Sequence, residues 1–263
     1  VDLHLHSHVS PDCNVEPREM VVAACNAGLS IIAGTDHNRA DNVPLFVEAA
    51  KDIREAGENL YPNNNLIVLP GIEITVEENN KNVHVLGIFP ENTDWVQIEM
   101  VLDDTGLEFP KEKRTQDSKV SRKRLVEIID RIHDRRGLAV LAHINTDNGY
   151  RYEMRKAGKS DEDILQNIVE WKVDAVEVSK AADSKHFVYG QKEIPCVVSS
   201  DAHSVEEIGA KEHITRVKMT KPSFEDLVRA LKDPRTRIRY EDESATGFKR
   251  ILGIDFSGGF LDG

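Results

Sequence analysis

Val1-Asp2-Leu3-His4-Leu5-His6-Ser7 opens the chain, and the reading of this stretch decides the fold. Side chains two apart on a strand share a face. His4 and His6 are therefore expected to project together, with Leu3 and Leu5 pointing the other way. Two imidazoles converging at a strand's end make half of a first-row metal site. Taken alone, the stretch is equally well a surface strand with two polar positions. Recurrence of the same signal further along separates the two readings.

Five more strand-like runs carry or lead into metal-capable side chains. Residues 31–35 run into Asp36-His37, 66–72 into Glu73, 138–142 into His143 and 197–200 into Asp201-Ala202-His203, while 83–87 contains His84. Apolar runs of this length read as buried strands. Polar, metal-capable residues at the C-terminal ends of several strands are the layout of a barrel active site. Six histidines and two carboxylates so placed are hard to explain as solvated surface, so a multinuclear metal site is expected.

In order along the chain, His4-x-His6, Thr35-Asp36-His37, Gly71-Ile72-Glu73, the strand around His84, Ala142-His143 and Ser200-Asp201-Ala202-His203 resemble the motifs of the PHP (polymerase and histidinol phosphatase) family. The resemblance covers roughly residues 1–240. It implies an α/β fold, a distorted (β/α)7 TIM-like barrel of the PHP type, holding up to three metal ions and hydrolysing phosphoesters. Carried over position by position, it implies His4, His6, Glu73 and Asp201 at a first metal. Glu73, His84 and His143 hold a second, with Glu73 bridging. A third takes Asp12, His37 and His203, Asp12 standing where the family places a ligand six residues after the second histidine. Such mixed ligands suit Zn, Mn or Fe without choosing among them, so the cofactors expected are two or three divalent ions.

The expected mechanism follows from charge. A metal brings the pKa of bound water to roughly 7 and paired metals clamp the attacking and leaving oxygens, so a metal-bound hydroxide is the expected nucleophile. Glu73 and Asp201 act catalytically through the metals, Asp36 orients a ligand, and Arg39 and Lys180 contact phosphate. The alternative is an inactive PHP module, stabilised by its metals, that regulates or targets an attached ATPase. Metal-capable residues at all nine ligand positions favour the enzyme. Amide hydrolysis on a related barrel is a more remote third reading.

With 263 residues, 40% of them hydrophobic, the chain can fill a barrel core. It has no run near the ~20 apolar residues of a membrane span and opens on no signal peptide. Cys13, Cys25 and Cys196 show no metal-type pairing, which suits a reducing cytoplasm. The formal net charge of −12 disfavours a surface that grips long nucleic acid, although residues 111–124 form a local basic run. A phosphorylated small molecule, a nucleotide or a nucleic-acid end delivered by a partner is the expected substrate.

Helices are expected over 16–28, 38–56, 94–102, 118–136, 161–171 and 222–231, and further strands over 213–220 and 235–240. Residues 145–159 read as an irregular rim. On the alternating stretch 173–180, Glu177 is left open between an inward polar group and a structural carboxylate. His8, His133, His186 and His213 have no motif support and stay outside the site. The domain is expected to end at 240, with 241–263 a linker and the start of a following unit. Residues 248–260 are similar to the strand before the P-loop of SMC-like ATPases that are fused to some PHP domains, although no G-x-x-x-x-G-K-[ST] is present.

Overall fold

The computed structural model describes residues 1–239, apart from 62, 108–110, 116, 180–182, 184–186 and 211–213. Lys180, His186, His213 and the whole of 241–263 therefore lie outside the described residues, and with them the tail and ATPase readings.

In chain order the elements are β1 (Asp2–Leu5), α1 (Pro17–Asn26), β2 (Ile31–Gly34), α2 (Val43–Ala56), β3 (Ile67–Glu78), β4 (Lys81–Ile88), α3 (Trp95–Glu99), α4 (Leu125–Asp134), β5 (Leu138–Leu141), α5 (Tyr150–Lys156), α6 (Asp161–Glu170), β6 (Ala175–Glu177), β7 (Val188–Tyr189), β8 (Lys192–Glu193), β9 (Cys196–Val197), β10 (Arg216–Val217), α7 (Phe224–Lys232), α8 (Pro234–Arg237) and β11 (Ile238–Arg239). Seven strands form one sheet in the order β1-β2-β3-β4-β5-β6-β9. Its edges meet through a parallel bridge between Leu5 and Ala202, where the His6 N–H donates to the Ala202 carbonyl (2.9 Å). The result is the curled, distorted barrel that the resemblance implies.

Among the described strands of this seven-stranded sheet, β4 alone runs against its neighbours, pairing antiparallel with both β3 and β5. The β3–β4 connection is a two-residue turn at Asn79 and Asn80, with φ of 51° and 57°. Positive φ at both central residues is what a type I′ hairpin turn needs, and Asn tolerates it. Reversal of β4 has a functional consequence. The start of this strand, not its end, lies at the same end of the barrel as the C-termini of the parallel strands. His84, near that start, faces Thr75 in register, two residues beyond Glu73.

Period-2 alternation sorts side chains into an inner and an outer face. The inner cluster takes Ile31 and Ala33 from β2, Leu69 from β3, Leu86 and Ile88 from β4, Leu138 and Val140 from β5, Ala175 from β6 and Val197 from β9. Phe224, Leu227 and Leu231 of α7 pack into the same cluster. Outward residues bury under two helical layers. Ile32 and Val68 pack with α1 and α2; Ile72, Ile74, Val76, Val83, Val85 and Leu141 pack with α3 to α6. Burying one such Val, Leu or Ile contributes about 1.5–3 kcal/mol, so the register is strongly specified on both faces.

Four local expectations are corrected. Leu3 and Leu5 do not share a face: Leu3 lies in the inner cluster and Leu5 in an outer one, because β1 shifts register between Asp2 and Leu5. A bulge of this kind places consecutive residues on one side. The helix expected over 118–136 begins only at Leu125. Before it, Val120 donates to the Thr75 carbonyl and accepts from Glu77 N–H, both at 2.8 Å, capping the part of β3 that outruns β2. The rim expected to be irregular contains α5, whose Tyr150 and Met154, four apart, are buried in the core. The strand expected over 235–240 instead begins with the single turn of α8.

Candidate metal centre

Above the apolar interior the inner-facing positions turn polar. β1 delivers His4 and the residue just after it His6, the chain after β2 delivers His37, β3 delivers Glu73, β4 His84, the turn after β5 His143, and the turn after β9 Asp201 and His203. His143, Asp201 and Asn38 have positive φ (26°, 51° and 55°). Non-glycine residues in such conformations cluster at functional sites, where surrounding structure over-determines them. At His143 the turn is held by Gly149: a Cβ there would lie 2.3 Å from the His143 carbonyl oxygen.

Glu73 is the centre of the constellation and is 1% exposed. Its Oε1 lies 2.9 Å from His84 Nδ1, 3.3 Å from His143 Nε2 and 3.4 Å from His4 Nε2. Its Oε2 lies 2.7 Å from His37 Nδ1 and 3.5 Å from His6 Nε2. Asp201 Oδ1 lies 3.3 Å from His4 Nε2 and 3.2 Å from His6 Nε2. Asp12 Oδ2 lies 3.3 Å from His37 Nε2 and 3.5 Å from His203 Nε2. All nine residues implied as ligands are thus brought together at one end of the barrel. Three subsets are compact enough to share an ion: His6, Asp12, His37 and His203; His4, His6 and Glu73; and His37, Glu73 and His84.

Two observations test whether these residues fit cations. His37 Nδ1 and Glu73 Oε2 are 2.7 Å apart, yet both are buried without a hydrogen-bond partner, as is His143 Nδ1. Buried polar atoms are normally satisfied, so atoms crowded together but unbonded mark a place built for something else. The spacing agrees. A first-row ion ~2.1 Å from its ligands separates neighbouring ligand atoms by about 3.0 Å in an octahedron and about 3.4 Å in a tetrahedron. His4 Nε2 and His6 Nε2 are 3.0 Å apart, and the His4 and His6 contacts to Glu73 and Asp201 span 3.2 to 3.5 Å. The residues fit divalent cations.

Electrostatics say the same. Burial by itself would raise the Glu73 carboxyl, but His84, His37 and His4 overcome it and hold Glu73 well below the usual carboxylate range. Burial opposes protonation of His37, and Glu73 and Asp12 nevertheless push it up to about 10. His4 is raised against burial by Asp201, Glu177 and Glu73, while burial lowers His6. His143 is raised against burial by Glu73, and His203 by Asp12. Asp12 and Asp201 are held below the normal range against burial, Asp12 by His203 and His37 and Asp201 by His4 and His6. The ionised carboxylates hold protons on the neighbouring imidazoles, positive charge that a bound cation would displace.

Behind the ligands stands a layer of hydrogen bonds. The Asp36 carboxylate, expected to orient a ligand, accepts from Ser7 N–H (2.7 Å), Ser7 Oγ (2.7 Å) and Ser10 N–H (3.1 Å). Ser10 Oγ then lies 3.0 Å from His6 Nδ1 and accepts from the His37 N–H (3.0 Å). Ser10 has no sequence signal beyond its place in a turn-rich loop. Glu177 resolves to the inward reading, 3.0 Å from His4 Nδ1. Arg39 directs both Nε (3.0 Å) and Nη2 (2.7 Å) at Asp41, which Lys111 also approaches at 3.3 Å. Its guanidinium is occupied by that carboxylate. His8 pairs with Glu16 at the surface and His133 with Asp174, away from the centre.

The model of the PHP domain matches residues 2–195, and that of the PHP-associated region matches 187–236. A candidate metal-dependent phosphoesterase from Bifidobacterium adolescentis is 17% identical with a TM-score of 0.53, over 88% of this chain and 94% of its own. An amidohydrolase from Chromobacterium violaceum, solved with sulfate and no metal, is 16% identical with a TM-score of 0.54, over 91% and 97%. A two-domain protein from Bacteroides vulgatus containing a PHP-like region assigned as a metal-dependent phosphoesterase is 17% identical with a TM-score of 0.57, over 91% of this chain and 64% of its own. At these identities the likeness is one of fold. Among curated proteins none matches the chain. No helix among the described residues is long and apolar enough to cross a membrane.

Proposed function

Because the chain belongs to the PHP domain family, we propose that it is a metal-dependent phosphoric ester hydrolase, acting in the cytoplasm on a phosphorylated small molecule, a nucleotide or a nucleic-acid end. The observation that carries this reading is Glu73, a buried carboxylate with five imidazoles between 2.7 and 3.5 Å of its oxygens. In the proposal His4, His6, Glu73 and Asp201 hold one ion, Glu73, His84 and His143 a second, and Asp12, His37 and His203 a third. Divalent ions there supply Lewis acidity toward phosphoryl oxygens and a nucleophile from water at neutral pH.

The chain's own residues do the positioning. Glu73 presents Oε1 to His4, His84 and His143 and Oε2 to His6 and His37, and so holds imidazoles from four parts of the barrel around one carboxylate. His4, His6 and Glu73 are sealed from solvent, whereas the side chains of Asp12, His203 and Asp201 are 30%, 33% and 41% exposed. The phosphoryl group therefore enters over the Asp12–His203–Asp201 edge, and the apolar interior below excludes water from the far side. Among the described residues at the site, no side chain is set up with an activating base as a nucleophile. Cys13, beside the site, is raised by burial, and its Sγ donates to the His6 carbonyl (3.1 Å). Arg39 shapes the rim through Asp41; Lys180 remains a proposed phosphate contact.

The test is turnover, with Mn and with Zn, of a phosphomonoester, a nucleoside bisphosphate and labelled single-stranded DNA and RNA. Hydrolysis in oxygen-18 water must place label on phosphorus; label only on the alcohol would overturn phosphorus attack. Activity surviving complete metal removal would refute the metal role. Ions bound without turnover of any substrate would favour a metal-stabilised regulatory module instead.

A further inference from the structure

Glu177 is the last residue of β6, faces inward and is 3% exposed. Its two oxygens serve two different ligand residues. Oε2 accepts from His4 Nδ1 at 3.0 Å, and Oε1 accepts from the His143 N–H at 3.3 Å. Its main-chain carbonyl also accepts from the Ile144 N–H (2.9 Å). The side chain therefore grips β1 on one side and the turn after β5 on the other, and at the second point it holds a residue whose φ is 26°.

This arrangement differs from what stands behind the other imidazoles. His6 Nδ1 meets the hydroxyl of Ser10, and His203 Nδ1 meets the Asp201 main-chain carbonyl at 2.9 Å. His4 has a carboxylate behind it. An acceptor at Nδ1 places the neutral ring's proton there and leaves the Nε2 lone pair facing Glu73, His6 and Asp201. A charged acceptor also makes the ring a better donor to a cation. We propose that Glu177 is a positioning residue that sets two metal-binding groups at once, the tautomer of His4 and the backbone of His143, and so couples the two ions expected on either side of Glu73. This rests on the metal-centre reading above.

The chemistry of the amide makes Glu177→Gln discriminating. Carboxylate oxygens accept at both ends, whereas Gln accepts at one and donates at the other. If its oxygen faces His4, an NH2 group opposes the His143 N–H. If its oxygen faces His143, the NH2 favours the other His4 tautomer, whose Nε2–H points into the ion position. Either way a ligand is disturbed while shape is kept.

The experiment is Zn2+ competition against a chromophoric chelator on the full chain, wild type and Glu177→Gln, alongside thermal unfolding of both metal-free proteins. The expected result is a 10–100-fold weaker affinity for at least one ion, in a metal-free variant whose thermal unfolding remains cooperative even though loss of the buried pair with His4 lowers its midpoint. The buried Glu153, which pairs with Lys156 on α5, provides a control: Glu153→Gln should leave Zn2+ affinity unchanged. Equal affinity of wild type and Glu177→Gln overturns the proposal. A wild type that binds no Zn2+ overturns instead the metal-centre reading beneath it. Should Glu177→Gln fail to fold, long-range proton–nitrogen spectra of the Zn-loaded wild type decide: His4 must be the Nδ1–H tautomer, and an Nε2–H tautomer refutes the role assigned to Glu177.

Discussion

Replacing Glu73 by Gln in the metal-free protein isolates the charge at the centre of the site. The isostere keeps shape and removes the negative charge that, with Asp12, pushes His37 up to about 10 against the effect of burial. Folding raises this histidine, so its contribution to stability is complete below the ordinary value of 6.5 and is lost as pH climbs through about 10. At pH 7 the folded value lies about three above ambient, and at roughly 1.4 kcal/mol for each the linkage is on the order of 4 kcal/mol. Removing one partner of a buried pair costs about 3–5 kcal/mol by an independent route. Wild type and Glu73→Gln should be unfolded in urea with chelator present across pH 6 to 10. Near neutrality the variant should be less stable by a few kcal/mol, and the gap should close at about 1.4 kcal/mol per pH unit on the alkaline side. A gap that stays constant with pH, or is absent at pH 7, would refute the reasoning. With metal present the same variant should lose at least one ion, because the carboxylate proposed to bridge is gone.

Two other outcomes are expected. His133, half-buried, is raised by its hydrogen bond to Asp174 (2.8 Å), again against burial; its stabilisation, below about 1 kcal/mol, should be present under pH 6.5 and vanish as pH rises past the folded value, and His133→Ala should remove that dependence in denaturant titrations without altering metal content. Truncation after residue 240 is expected to retain both metal content and phosphoesterase activity, as elemental analysis and turnover would show; an unfolded product would place the tail within the barrel.

Strand-end chemistry was legible before any coordinates because inward and outward positions alternate so cleanly. Ile31, Ala33 and Leu69 face in, Ile32 and Val68 face out, and the polar residues simply continue the inward column. His84 was legible as a candidate ligand but not as to why it reaches the centre, since its strand direction depends on the Asn79-Asn80 turn and on pairing with both neighbours. The shift within β1 was not legible, because a bulge is decided by the partner strand. Nor was the late start of α4: residues 118–124 carry no breaker, and only the unpaired edge of β3 draws Val120 into a bridge. Glu177 could be assigned a face but not a partner, because partners across a barrel come from strands far apart in sequence, here 173 residues.

The apolar interior beneath the ligands has a kinetic meaning. Leu69, Leu86, Val140 and Val197, backed by Phe224 and Leu227 of α7, fill the barrel interior below the site with apolar side chains. Under the proposed function, ions, water, ester and both products would share the part-exposed edge formed by Asp12, His203 and Asp201. Sharing one doorway would make that traffic sequential: a seated phosphoester would block the exit of the ions beneath it, and a departing phosphate would have to clear before the next arrival. Loading and turnover would in this sense be queued events, ordered by the shape of the barrel.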